Sequence, residues 1–212
     1  MKKLCLLLLI LPAYSKAQPG ISIQAHWNGI PLESGRYYPL SSAGDSIRMD
    51  VLRFYLGVLP SGEAAQTEHH LVDMSVPESM HFALGSTAEN PHPKLLLGVD
   101  SMTQMDGAGG GALDPTQGMY WTWQSGYIHL KLEGSMRRTD GTQMPFSYHI
   151  GGFEGKDNTL QSISADSSGI LKPNLAALFR QITPESNRDI MSPGAKAVSV
   201  SRAWKDCFSA EP

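Results

Sequence analysis

The sequence predicts an all-β fold, a single-domain antiparallel β-sandwich of the Ig-like kind with short C-terminal helices. Three observations lead there. Apolar and polar residues alternate with a period of two in several short segments, Gly, Pro, Asn and Asp punctuate the gaps, and helix-compatible spacing appears only beyond Pro173. About eight short strands with turns between them and little helix are what packed antiparallel sheets look like in sequence.

The chain opens with a leader-like segment over residues 1–17. Lys2 and Lys3 form a basic start, an apolar run follows, and Ser15-Lys16-Ala17 supplies a small-residue exit. The apolar run stops at Pro12, well short of the roughly 20 residues that cross a bilayer. Cys5 lies inside that run without small residues before it, so it does not read as a lipid-attachment site. The expectation is an exported protein, periplasmic or secreted, without a transmembrane segment, whose single domain spans residues 18–212. A chain of that length buries roughly 70% of its unfolded surface.

The elements follow in order. Ile21-Ser22-Ile23-Gln24-Ala25-His26-Trp27 alternates as a strand and meets the hairpin signal Asn28-Gly29. Gly44-Asp45 opens a long strand over 46–59, which Pro60 stops. Residues 61–68 read as polar loop, and 69–74 and 80–84 as short strands. The continuous apolar run 94–99 suits a strand buried on both faces. The glycine-rich loop around Gly109 lacks a following Lys-Ser or Lys-Thr, so it is not a phosphate cradle. Beyond it, residues 118–127 hold Trp121 and Trp123 and read as one strand running into Ile128, Leu130 and Leu132, which alternate with His129, Lys131 and Glu133. Asp140-Gly141 marks a hairpin loop, after which Phe146, Tyr148 and Ile150 alternate with Ser147, His149 and Gly151. Asn174 caps a helix over 175–182, and Pro193 starts a second one reaching Trp204.

Charge and cysteine content narrow the function classes. Losing the leader removes three lysines and no acid, which takes the net charge from −3 to −6. Arg137-Arg138 is the one basic doublet left, so nucleic acid is not expected as a partner. Cys207 would then be the sole cysteine, which excludes an internal disulfide. No Gly-x-Ser-x-Gly elbow and no His-Glu-x-x-His occurs, and no turnover is expected.

The aromatic run carries the functional question. Indoles and phenols concentrated in one strand either fill a core or face a ligand, a metal or another chain. If the hairpin pairs regularly, His129 and His149 share the face opposite Ile128, Leu130, Phe146 and Tyr148, and parity adds Trp121 and Trp123 to it, unless Ser125-Gly126 holds a bulge. Imidazoles beside indoles suit copper better than a hard ion. Further donors are His26, one of the pair His69-His70 (His70 taken as the candidate) and Met105, the last beside the glycine loop with Met102. His81 and His92 read as loop-edge residues, and the remaining methionines as core filler.

These residues carry a resemblance. Leu113-Asp114-Pro115, the run from Gly118 through Trp121-Thr122-Trp123 to Tyr127, and Tyr148-His149-Ile150-Gly151-Gly152 resemble the MbnP-like family of periplasmic copper-binding proteins of methanobactin operons; Leu52-Arg53-Phe54-Tyr55-Leu56 and Leu71-Val72-Asp73 fit its earlier strands. The resemblance implies a β-sandwich holding copper through histidines. In some members a tryptophan assists, oxidised to kynurenine by a partner di-haem cytochrome c peroxidase-like enzyme. His149 falls on the family's histidine, and Trp121 and Trp123 on its tryptophan pair. Where better-known members carry Asn-His, this chain reads Gln104-Met105. That leaves Met105, His26, His70 or His129 to complete a site. The alternative is a metal-free module that uses the aromatic strand to bind a glycan or a protein.

Overall fold

The computed structural model describes residues 20–60, 66–84 and 93–209. The expected leader, most of the 61–68 loop and His92 lie outside the described residues. Strand accounts for 40% and helix for 21%, so the mostly-β expectation holds. In chain order the elements are β1 (Gly20–Ile23), β2 (His26–Trp27), β3 (Ile30–Pro31), β4 (Tyr37–Pro39), β5 (Ser46–Val58), β6 (Glu68–Asp73), β7 (His81–Ala83), β8 (Lys94–Leu97), α1 (Ser101–Met105), β9 (Tyr120–Thr122), β10 (Gly126–Arg137), β11 (Gln143–Gly151), β12 (Gln161–Ser164), β13 (Ile170–Leu171), α2 (Leu175–Gln181), β14 (Asp189–Ile190) and α3 (Ala195–Asp206).

The long strand β5 organises the main sheet. Along one edge it pairs antiparallel first with β10, from Ser46 to Phe54, and then with β8, from Leu56 to Val58. β4 and β6 occupy the other edge. The sheet therefore forks at Tyr55: β10, β11 and β14 leave in one wing, β8 and β12 in the other. A smaller sheet, ordered β13-β1-β7, stands apart.

This is not the Ig-like, purely antiparallel sandwich that the alternation suggested. β1 pairs with β13 and β11 with β14 in parallel, and much of one face is covered by helix. Trp204 of α3 meets Phe54 edge-on at 5.1 Å, and Phe179 of α2 meets Phe146 at 5.5 Å. The C-terminal helices, correctly placed by the Asn174 cap and by Pro193, thus supply part of the layer that a second sheet would have filled. Each such ring, fully buried, is worth about 1.5–3 kcal/mol.

The reverse face of the sheet carries a second, smaller cluster of Tyr55, Val99, Met119, Tyr127 and Ile128, with Trp121 packed against it. α1 closes this side. It is five residues long, capped by Asp100, whose side chain accepts from the backbone N–H of Met102 and Thr103. Its sequence is too short for a helical period to show.

Candidate metal centre

His149 is placed by the β10/β11 ladder. Lys131 pairs directly with His149, and Glu133 with Ser147, so the side chains of residues 131, 133, 147 and 149 share the face turned away from Leu130, Leu132, Tyr148 and Ile150. The imidazole is 11% exposed, and its Nε2–H donates to Glu133 Oε1 at 2.6 Å. Lys131 Nζ lies 3.7 Å from the same oxygen. Among the described residues Nδ1 has no hydrogen-bond partner, and it is not sealed from solvent.

The tryptophans separate. Residues 118–127 are not one strand: β9 ends at Thr122, Trp123 to Ser125 turn, and Gly126 starts β10 with a register shift. Trp121 lies over Gly151, where a Cβ would come within 2.8 Å of its Cζ3. Gly151 is two positions along β11 from His149 and on the same face. Trp123 sits in the turn, 78% exposed. The indole that accompanies His149 is therefore Trp121, and the face shared by both tryptophans is replaced by a hairpin.

His129 is held differently. A bulge between Ile128 and Leu130 interrupts the β10/β11 register and turns Ile128 into the second cluster, away from the core face expected for it. His129 lies in the fork of the sheet beside Gly98, where a Cβ would meet its ring at 2.8 Å and where φ is +123°. Gln104, the one buried side chain of α1, caps it. The Gln104 amide N–H groups donate to His129 Nε2 at 2.7 Å and to the Val99 carbonyl at 3.1 Å, while its Oε1 accepts from the Tyr127 N–H at 2.9 Å. On the far side His129 Nδ1–H donates to Thr159 Oγ1 at 2.9 Å, and Thr159 in turn donates to the Gly152 carbonyl. Burial, reinforced by the nearby His69, pulls the His129 pKa down to about 3. This is a neutral, fully satisfied imidazole.

The other candidates lie apart. The imidazole whose field reaches His129 is His69 and not His70. His69 is 3% exposed, with Nε2 3.2 Å from Asp100 Oδ2, and burial lowers its pKa against the pull of Asp100. His70 points to the opposite side of β6, stacked on Phe82 at 3.8 Å and 3.2 Å from Glu68. His26 uses both ring nitrogens, accepting from the Gly29 N–H and donating to the Lys172 carbonyl. Met105 and Met102 are 70% and 75% exposed on α1. No three His, Cys, Asp or Glu side chains converge among the described residues.

The MbnP family model matches residues 16–192. The chain belongs to the MbnP family. A solved structure, MbnP from Methylosinus trichosporium, is similar at 12% identity over 76% of each chain, with a TM-score of 0.45. No curated protein matches.

Against the MbnP pattern, Gln104 gains a meaning that its position in the sequence did not give. It stands where the resemblance expects the first residue of an Asn-His pair, and it locks the buried His129. The donor left open is His149 Nδ1, two positions along β11 from the glycine that Trp121 covers. Imidazole nitrogen suits copper, and an aromatic face tolerates a cation. Sequence reasoning missed Glu133, whose signal was its shared parity with Lys131. It singled out Gln104 only as a departure from the resemblance, not as the partner of His129, and it missed Asp100.

Proposed function

We propose that this MbnP-family protein is exported and binds copper at His149, through Nδ1 and beside Trp121, as a carrier or handler of the metal without turnover. One observation carries the reading: His149 is the candidate histidine that shares a sheet face with Gly151, which Trp121 covers, and that keeps a ring nitrogen unpartnered among the described residues. The leader-like residues 1–17 support export to the periplasm or beyond. Copper supplies the affinity for imidazole nitrogen, and the chain supplies a held ring, a carboxylate and a wall of aromatic surface. His129, sealed by Gln104, contributes nothing to the site. A di-haem cytochrome c peroxidase-like partner would find Trp123, at 78% exposure, the more accessible indole.

The test is competition for copper(I) against a chromophoric chelator, with the parent protein and His149→Ala side by side. Loss of high-affinity binding in His149→Ala supports the assignment, and unchanged affinity removes His149 from the site. A second reading rests on Trp123 alone. Its exposed ring stands next to a cavity of about 460 Å³ lined by Gln124, Ser125, Phe153 and Lys156, which suits stacking on a sugar. Quenching of its fluorescence by oligosaccharides, abolished in Trp123→Ala, would favour that module over the metal.

A further inference from the structure

We infer that Glu133 locks the tautomer of His149, so that Nδ1 and not Nε2 is the nitrogen offered to a soft metal ion. The inference rests on the copper reading for its occupant, but the lock is a property of the protein without metal. An ionised carboxylate only accepts hydrogen bonds. The 2.6 Å contact between Glu133 Oε1 and His149 Nε2 therefore requires the proton on Nε2. A neutral imidazole carries one N–H, so the lone pair is left on Nδ1.

The ladder makes this contact persistent. Residues 133 and 149 sit on one face as diagonal neighbours across paired strands, with Lys131 directly opposite His149. Lys131 Nζ lies 3.7 Å from the Glu133 oxygen that accepts this hydrogen bond. Within the same molecule His129 follows the reverse logic. There a Gln104 N–H donates to Nε2, the proton sits on Nδ1, and both nitrogens are consumed. Two histidines on the paired strands β10 and β11 are thus set to opposite tautomers by their partners, one closed and one open. Carboxylates that hold the far nitrogen of a metal-binding imidazole orient the ring and raise its basicity; removing such a partner weakens metal binding on the order of 10–100-fold. Glu133 is a positioning residue in this sense.

The test uses ¹⁵N-histidine-labelled protein and long-range ¹H–¹⁵N correlation near pH 8, before and after copper(I). The expected spectrum shows His149 with an unprotonated Nδ1 and a slowly exchanging, downfield Hε2. Glu133→Gln, whose amide oxygen still accepts, retains that proton signal. Glu133→Ala loses it to exchange and binds copper(I) on the order of 10–100-fold more weakly, with an unchanged far-ultraviolet circular dichroism spectrum confirming the fold. A protonated Nδ1 in the metal-free protein overturns the inference. So does copper(I) shifting Nε2 in place of Nδ1, or full affinity in Glu133→Ala. If the expected tautomer is seen but the parent protein binds no copper(I), the lock stands and the copper reading falls.

Discussion

Replacing Gln104 with alanine tests whether this side chain is the keystone of the reverse face. It is 3% exposed and spends both amide protons and its oxygen on three buried partners: His129 Nε2, the Val99 carbonyl and the Tyr127 N–H. Truncation leaves all three without a partner. Each orphaned buried group costs about 1–3 kcal/mol, and because they share one network the losses do not simply add. The expected destabilisation is about 3–5 kcal/mol. With a urea m-value of about 2 kcal/mol/M, the unfolding midpoint measured by far-ultraviolet circular dichroism should fall by about 1.5–2.5 M. Met105→Ala, one residue along the same helix but 70% exposed, should change stability by less than about 0.5 kcal/mol. A loss below about 1 kcal/mol for Gln104→Ala would refute the reasoning, since it would mean that the three groups find other partners and that His129 is not sealed by this amide.

Three further outcomes follow from the same geometry. His129 titrates at about 3 in the folded protein and at about 6.5 unfolded, so between those values the unfolded chain binds the extra proton. Stability is full above about pH 6.5 and should decline by roughly 1 kcal/mol per pH unit below it, with the lowered pKa values of His69 and His70 acting in the same direction; denaturant titrations at stepped pH measure the slope. In Gly151→Ala the new Cβ would lie 2.8 Å from Trp121 Cζ3 and 2.5 Å from the Tyr127 carbonyl oxygen, so a loss of about 1–3 kcal/mol and a shifted Trp121 emission are expected. Acrylamide should quench the fluorescence in two phases, because Trp123 is 78% exposed while Trp27 and Trp204 are each 2% exposed; Trp123→Phe should remove the accessible phase.

Much of the β framework was legible because period-two alternation is a local property. The segments 46–59, 69–74, 94–99 and 146–151 came out close to β5, β6, β8 and β11, although β10 runs on to Arg137 and β11 begins at Gln143, and Asn174 and Pro193 located both C-terminal helices. What failed was whatever depended on a single irregular residue. Gly126, at φ +69°, lets the chain fold back after Thr122, so Trp121 and Trp123 do not share a strand face. The bulge at Ile128 changes the side on which that residue packs without changing the apparent alternation. The parallel pairings of β13 with β1 and of β14 with β11 leave no trace in segments of two residues. The candidate site was legible in the same uneven way: Tyr148-His149-Ile150 marked the imidazole whose Nδ1 is left without a partner among the described residues, while the choice of His70 over His69 turned on which face of β6 looks toward the fork. The capping of His129 by Gln104 depends on a contact across 25 positions, which no spacing rule reaches.

In the proposed site the His149 imidazole is open to copper and the His129 imidazole is closed. Histidine ¹H–¹⁵N spectra recorded through a copper(I) titration of the parent protein address both at once. The ring resonances of His149 should shift or broaden by one equivalent of metal while those of His129 stay in place. A response at His129, or an unmoved His149 in protein that has taken up copper, would contradict the account.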